Sequence, residues 1–464
     1  MTRLAPVLGP LTAALLLAMA GGAATPAKSA AKKPTAKRQA RRVTPKVVPV
    51  SARTRAVATE AVTGWLAAGV PVENPAALVP FFEQLLRQER GESSGPLRIL
   101  QFGDSHTAAD EFTGAIRYLF QARFGVGGGG YSYAGKPWSS YRRVDLKSTG
   151  SRGWHSDGLV GRDGDGLYGL GGVSITTRAP REGVTIEADC TRAELLFLRQ
   201  PGGGVVELIV DSESAGDIST NGNLGGGYFE LRLEPGIHNL TVRTLDRSPV
   251  RLFGWVTENA RGVTYETLGI NGAQASILLN WNEKLTAEHL ARRNPGLIVL
   301  AYGTNEAGNR DWTHESYRDM YLDLIRRLRD AAPGASILVI GPPDRYARIR
   351  GKWTTYERID MIVAAQRETA LSAGCAFWDQ REKMGGKGAM RQWVLAGLAQ
   401  YDHVHFTAPG YRLLGDLLYR DMMTHYGTFV RVRDEVAQTT DGQTRPNHQD
   451  HPGGIEQRRS AFTR

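Results

Sequence analysis

Apolar positions along the chain change period twice, and the two changes mark out its organisation. Helical spacing comes first. Glu60–Ala68 and Ala76–Glu89 read as amphipathic helices, with Leu78, Phe81, Phe82, Leu85 and Leu86 on one face of the second. The apolar run Leu97–Phe102 reads as a short buried strand and passes straight into Gly103-Asp104-Ser105-His106. A helix follows, with Phe112, Ile116, Leu119 and Phe120 on one side. From about Gly135 to Val256 the helical period is lost. Short β-prone runs replace it at Val173–Thr177, Val184–Ala188, Glu194–Leu198, Val205–Val210, Tyr228–Leu233 and Leu240–Thr244, separated by Gly, Pro, Asp and Asn. That pattern predicts an all-β sandwich.

Near Val263 the rhythm alternates again. Strands are predicted at Val263–Ile270, Leu297–Tyr302, Ser336–Ile340 and Ala376–Trp378, and helices near Ala275–Arg292, Glu315–Arg329, Thr354–Ala373 and Gly410–Met423. Alternation of this kind predicts a parallel sheet covered on both faces. The second half therefore completes an α/β domain begun before the β segment, and the β segment is an insertion.

Charge alters the picture only at the N-terminus. Of the 57 Lys and Arg, 11 precede Ala56, where no acid occurs; the remaining 46 face 47 acids. The formal charge of +10 thus belongs to the N-terminal region, which argues against nucleic acid as a partner of the folded body. Arg3, the apolar run Leu4–Ala20 and the small residues Ala18-Met19-Ala20 predict a signal peptide over 1–20, with an uncleaved anchor as the alternative. Residues 21–57 read as a basic Ala/Lys/Pro-rich linker, either a solvated spacer or an electrostatic tether to an anionic cell envelope. After about Arg433 apolar residues thin out, and 431–464 is predicted to be a disordered tail. Cys190 and Cys375 lie in apolar runs and are predicted to be buried free thiols.

Four short segments carry candidate chemistry. Ser105 falls where a strand ends and a helix begins, so it reads as a nucleophile standing at a sheet edge or as a plain helix N-cap. Asp402-His403-Val404-His405 offers a carboxylate three residues before an imidazole, the elements of a general base with its orienting acid. A surface loop with two histidines, or metal binding through His403 and His405, are the competing readings. Asn305, in Gly303-Thr304-Asn305-Glu306, follows a predicted buried strand and can donate its amide to an oxyanion or cap a turn. Gly272 follows another strand and either lets a backbone N–H approach a substrate or makes a turn.

Taken in order, the four segments resemble the blocks of the SGNH hydrolase superfamily: Gly-Asp-Ser, then Gly, then Gly-x-Asn, then Asp-x-x-His. The resemblance implies a flavodoxin-like three-layer α/β/α fold and ester hydrolysis through an acyl-enzyme, with no cofactor and no metal. It assigns Ser105 as nucleophile, His405 as base and Asp402 as its partner. The oxyanion hole would be Ser105 N–H, Gly272 N–H and the Asn305 side chain. Two departures stand out. Glu306 replaces the Asp of many members, and His106 replaces the Leu of the commoner Gly-Asp-Ser-Leu.

The implied hydrolase domain is discontinuous, 58–134 and 257–430, around an insertion at 135–256. A β-sandwich inserted after the first block, with His after the Ser, is similar to the bacterial peptidoglycan O-acetylesterases, whose insert resembles a carbohydrate-binding module. That resemblance implies a periplasmic or secreted enzyme removing acetyl from the 6-hydroxyl of N-acetylmuramic acid, with O-acetylated peptidoglycan or another acetylated polysaccharide as partner. A polysaccharide O-acetyltransferase and a general secreted esterase share the site, and a non-catalytic wall-binding protein is the reading from another class. Tyr131, Tyr133, Trp138, Tyr141, Trp154 and Tyr168 cluster at the start of the β segment. Flat rings of this kind suit either sugar faces or an aromatic core.

Overall fold

All five strands expected to be parallel pair in one sheet of a computed structural model, which describes residues 50–67, 71–161 and 164–443. The spatial order is Val263–Gly269, Leu97–Gly103, Leu297–Ala301, Ser336–Ile340 and Ala376–Trp378. In order along the chain this is 2-1-3-4-5, the flavodoxin-like arrangement, whose switch point lies between the first and third strands.

Alternation along each strand feeds two cores. Ile99, Val299, Leu338 and Ile340 pack with Phe112, Ile116, Phe120, Leu414 and Leu418 from the helices Glu111–Phe124 and Ala408–Gln443. Leu100, Phe102, Ile298, Leu300 and Val339 face the other way, onto Glu283–Arg293, His314–Ala331 and Arg358–Ser372. Burial of both faces explains why these strands read as unbroken apolar runs.

The β segment forms two antiparallel sheets. One has the order Gly225–Arg232, Arg192–Arg199, Val250–Glu258, Ser174–Thr177, His155–Asp157, with Gly130–Tyr133 also paired to Val250–Glu258. The other runs Lys147–Gly150, Gly183–Asp189, Ile237–Thr244, Val205–Val210, Glu213–Ser219. Leu195, Phe197, Leu252 and Trp255 of the first meet Val184, Ile186, Leu208, Leu240 and Val242 of the second in a shared interior.

The opposite face of the first sheet is also buried. Leu196, Leu198, Phe253 and Val256 join the same core as Leu268, Trp281, Leu285 and Leu290 of the α/β part. Period-two alternation sends one half of each strand into the sandwich and the other half into the hydrolase. Polar ties cross the same junction. Glu258 accepts from Arg98 at 2.7 Å, Arg192 at 2.9 Å and Arg293 at 2.9 Å. Tyr228 donates to Glu288 at 2.8 Å, while the Arg292 guanidinium lies 4.1 Å from the Tyr228 ring centre. From Val50 on, the described residues accordingly form one compact unit.

Four sequence expectations need correction. The predicted 431–464 tail is helical as far as Gln443, and its first turn is tied to the Val79–Glu89 helix and its C-cap, with Arg433 donating to Glu83 at 2.9 Å and Asp434 accepting from Arg90 at 3.3 Å. At the other end, the basic linker gives way to helix at Ala52, inside the 21–57 span. The predicted Ala275–Arg292 helix is two elements, a 3₁₀ turn at Ala275–Asn280 and a helix from Glu283, since Asn282 accepts the Leu285 N–H at 2.9 Å and starts the helix afresh. The expected start of the Thr354–Ala373 helix is instead a hairpin, Tyr346–Ile349 with Lys352–Thr355, turned by Arg350-Gly351 at φ 49° and 81°. Two consecutive residues at positive φ are what a tight two-residue hairpin turn requires. The 1–20 signal segment lies outside the described residues. Cys190 and Cys375 are free and buried, as expected.

Candidate active site

The topological switch point is where the chemistry converges. Strand Leu97–Gly103 delivers Ser105 and its neighbour Leu297–Ala301 delivers Asn305, both at the carboxyl edge of the sheet. Ser105 opens the one-turn helix Ser105–Ala108, whose N-cap Asp104 accepts the His106 N–H at 2.9 Å. Gly103 leaves no room for a side chain: a Cβ there would lie 2.1 Å from Thr107 Oγ1 and 2.8 Å from the Ala301 carbonyl. The glycine lets the strand turn into the helix directly under the serine.

The Asp-x-x-His spacing is explained by one carboxylate. Asp402 Oδ1 accepts the backbone N–H groups of Val404 at 2.9 Å and His405 at 3.0 Å, which folds the loop back on itself. That leaves Oδ2 to accept from His405 Nδ1 at 2.7 Å. On the far side of the ring, Nε2 lies 2.9 Å from Ser105 Oγ. The three residues therefore form one continuous hydrogen-bonded chain.

His403 is directed elsewhere. It sits at φ 57°, its ring stacks 4.3 Å from that of Trp353, and its carbonyl accepts the Tyr346 N–H at 3.0 Å. The unforeseen hairpin thus braces the loop that carries Asp402 and His405.

Charge around the triad is set by burial and pairing. Burial alone would raise Asp402, but the hydrogen bonds from His405 and the loop N–H groups bring its carboxyl down to about 2. The bond to Asp402 is also the main reason that His405 is held above an ordinary histidine, against the opposing pull of its own burial. His106 is different: half-buried, with Nε2 enclosed and Nδ1 3.0 Å from the Tyr411 hydroxyl, it is pushed down to about 3 by the loss of water around its ring and stays neutral. Asp104, fully buried, is pushed up to about 6 by that burial.

The two further loops meet the serine. Asn305 Nδ2 donates to the Ala273 carbonyl at 2.9 Å and lies 3.4 Å from Asp104 Oδ2, so its amide stands between the Gly272 turn and the Ser105 turn. Gly272 has φ 78° with open space at its Cβ position; the nearest atom is Val160 Cγ1 at 4.0 Å. The Ser105 N–H, first in its helix, has no acceptor within the helix.

Glu306, a departure from the usual motif, locks these loops together. Its Oε1 accepts the Ala275 N–H at 2.7 Å and its Oε2 the Gly303 N–H at 2.9 Å. One buried carboxylate thus spans the Gly272 and Asn305 loops. Burial raises it to about 7. The bracing roles of Asp104, Glu306 and Trp353 were missing from the sequence reading. A buried acid flanking a motif was the one signal available for the first two, and Trp353 left none.

A serine, a histidine and an aspartate hydrogen-bonded in series at the switch point of a flavodoxin-like sheet form the arrangement that serine hydrolases of the α/β/α class use. Residues 236–413 match the model of the GDSL-like Lipase/Acylhydrolase family. A solved peptidoglycan O-acetylesterase is 30% identical, matched over 75% of this chain and 96% of its own, with a TM-score of 0.64. The chain belongs to this GDSL-like, or SGNH, hydrolase family, and it is a carboxylic ester hydrolase. Other structural matches include family two carbohydrate esterases. One, from Clostridium thermocellum and in complex with cellohexaose, is 13% identical over 55% of this chain and 95% of its own, TM-score 0.28. Another, from Cellvibrio japonicus, is 11% identical over 61% and 98%, TM-score 0.26. No curated protein matches the sequence.

Proposed function

We propose that the protein is an exported O-acetylesterase of O-acetylated peptidoglycan, with Ser105 as nucleophile, His405 as base and Asp402 as its orienting acid. The observation that carries the reading is the hydrogen-bonded chain from Asp402 through His405 to Ser105, in a fold matched along nearly the whole length of a peptidoglycan O-acetylesterase. In this reading His405, neutral and donating Nδ1–H to Asp402, takes the Ser105 proton on Nε2 as Oγ attacks the acetyl carbonyl. The negative charge that develops on the carbonyl oxygen is met by Ser105 N–H, Gly272 N–H and the Asn305 amide. His405 then returns the proton to the departing sugar hydroxyl. Water, activated by the same base, releases acetate from Ser105.

The test is acetate release from O-acetylated peptidoglycan, acetylated xylan and a long-chain ester, compared side by side. Preference for the long-chain ester would make the protein a lipase-like esterase instead. Export is tested separately, by fractionating cells that express the full chain and locating the protein.

Two predictions follow from the charge around the triad. The base must be neutral, and its folded pKa is raised, so kcat/KM should climb with pH through a limb lying above the ordinary histidine value of 6.5. In Asp402→Asn that limb should move to lower pH while kcat falls roughly 10⁴-fold, as the wrong tautomer is favoured. A limb unmoved by the change would remove Asp402 from its role. Asn305→Ala should lower kcat on the order of 10²- to 10³-fold with KM little altered, as for a transition-state donor. A defect confined to KM would make Asn305 a substrate contact.

A further inference from the structure

The insertion walls two cavities, one at the triad and one at the Gly272 loop. The first, about 390 Å³, is bounded by Ser105 and His405 and by Trp138 and Arg142 from the start of the β segment. The second, about 440 Å³, lies beyond the Asn271–Gly272 peptide and is bounded by Gly272 and Trp281 on one side and Val160 and Tyr168 on the other. Each has the size of a ligand site, typically about 300–1,000 Å³.

Trp138 is set apart from the other clustered aromatics. Tyr131, Tyr133, Tyr141 and Tyr168 are buried and the half-buried Trp154 packs against the sandwich interior, whereas Trp138, also half-buried, lines the cavity that holds the nucleophile. Its ring is braced edge-on by Tyr133, with centres 5.4 Å apart, and by Tyr141 at 5.0 Å. An indole fixed in this way presents an apolar surface without losing rotamer freedom on binding, which suits the C–H face of a pyranose.

The rim beside it is cationic. Glu111, nearly buried, accepts from Arg142 at 2.9 Å on one oxygen and from Arg412 at 3.1 Å on the other, so two guanidinium groups share one carboxylate. Both arginines are mostly exposed. A guanidinium has five N–H donors, so pairing with Glu111 leaves each able to take a further carboxylate.

We propose that Trp138 and Arg142 form a sugar subsite beside Ser105 for a pyranose that carries a carboxylate, the ring lying on the indole and the acid reaching the guanidinium. The proposal rests on the acetylesterase reading and names the chemistry of the sugar. It also makes the insertion a part of the active site.

The test compares wild type, Trp138→Ala, Trp138→Phe and Arg142→Gln on three substrates. These are O-acetylated peptidoglycan strands stripped of peptides, so that the lactyl carboxylate is bare, neutral acetylated xylan, and p-nitrophenyl acetate. Trp138→Ala should raise KM for the polysaccharides about tenfold more than for the small ester, and Trp138→Phe should recover most of that loss. Arg142→Gln should raise KM about tenfold for the acidic strands, and at least fivefold less for xylan. Equal effects on all three substrates, or none, overturn the subsite; equal effects of Arg142→Gln on acidic and neutral glycan overturn its charge preference. A wild type that prefers xylan would sink the peptidoglycan reading while Trp138→Ala on xylan still decides the platform. Activity on neither polysaccharide overturns both.

Discussion

Ser105→Ala is expected to lower kcat for acetyl esters on the order of 10⁶-fold while leaving the protein folded. The side chain's hydrogen bond is to His405, at 2.9 Å, and alanine is at home in the first turn of a helix, so thermal unfolding should change by a few degrees at most. His405→Ala should match it, and the double variant should be no worse than either, because members of a triad act as a unit. His403→Ala is the internal control. Its ring packs on Trp353 and Tyr346, so its loss loosens the loop without removing the base, and its effect should be far smaller. Turnover near wild type in Ser105→Ala, measured on p-nitrophenyl acetate, would remove the serine from the mechanism. A defect in His403→Ala as deep as that of His405→Ala would exchange the roles of the two histidines.

The parallel sheet was legible because burial on both faces writes itself into sequence as unbroken apolar runs. Leu297–Ala301 and Ser336–Ile340 are fully or almost fully buried, and both were foreseen to within a residue. Edge and surface strands left a weaker mark. Glu213–Ser219 is exposed at all but Ile218, and Lys147–Gly150 buries none of its residues, so neither carries the alternation by which strands are recognised. Val250–Glu258 was missed for the opposite reason: a bulge between Leu252 and Gly254 breaks its period, and both of its faces are covered.

The site followed the same division. Ser105, Gly272, Asn305, Asp402 and His405 were visible because each follows a strand or precedes a helix in a short motif, and all five stand at the sheet edge. The residues that hold them depend on contacts distant in sequence. Glu306 reaches Ala275, 31 positions earlier, and Trp353 stacks on His403 from a separate hairpin. Trp138 was visible as an aromatic, but not as the one that shares a cavity with Ser105, which only tertiary packing decides.

Replacing Gly135–Val256 by a short linker tests how the two parts depend on each other, and the shared core decides what to expect. Were the insertion an independent lobe, the flanking α/β segments would fold alone and still cleave a small acetyl ester. Leu196, Leu198, Phe253 and Val256, however, cover Leu268, Trp281, Leu285 and Leu290. Their removal returns that surface to water, along with Tyr131 and Tyr133, and Arg292 loses the Glu194 carboxylate. At about 1.5–3 kcal/mol for each large apolar side chain, the loss is on the order of 10 kcal/mol. That equals or exceeds the whole stability of a typical domain, about 5–15 kcal/mol. The shortened protein should therefore be insoluble or lack a cooperative unfolding transition, and activity on p-nitrophenyl acetate should vanish together with activity on polymer. Even a folded remnant would lack Trp138, which walls the cavity at Ser105, and Val160, which walls the cavity at Gly272. A soluble, cooperatively melting variant with near-normal turnover of the small ester would show that the sandwich rests on the hydrolase without supporting it.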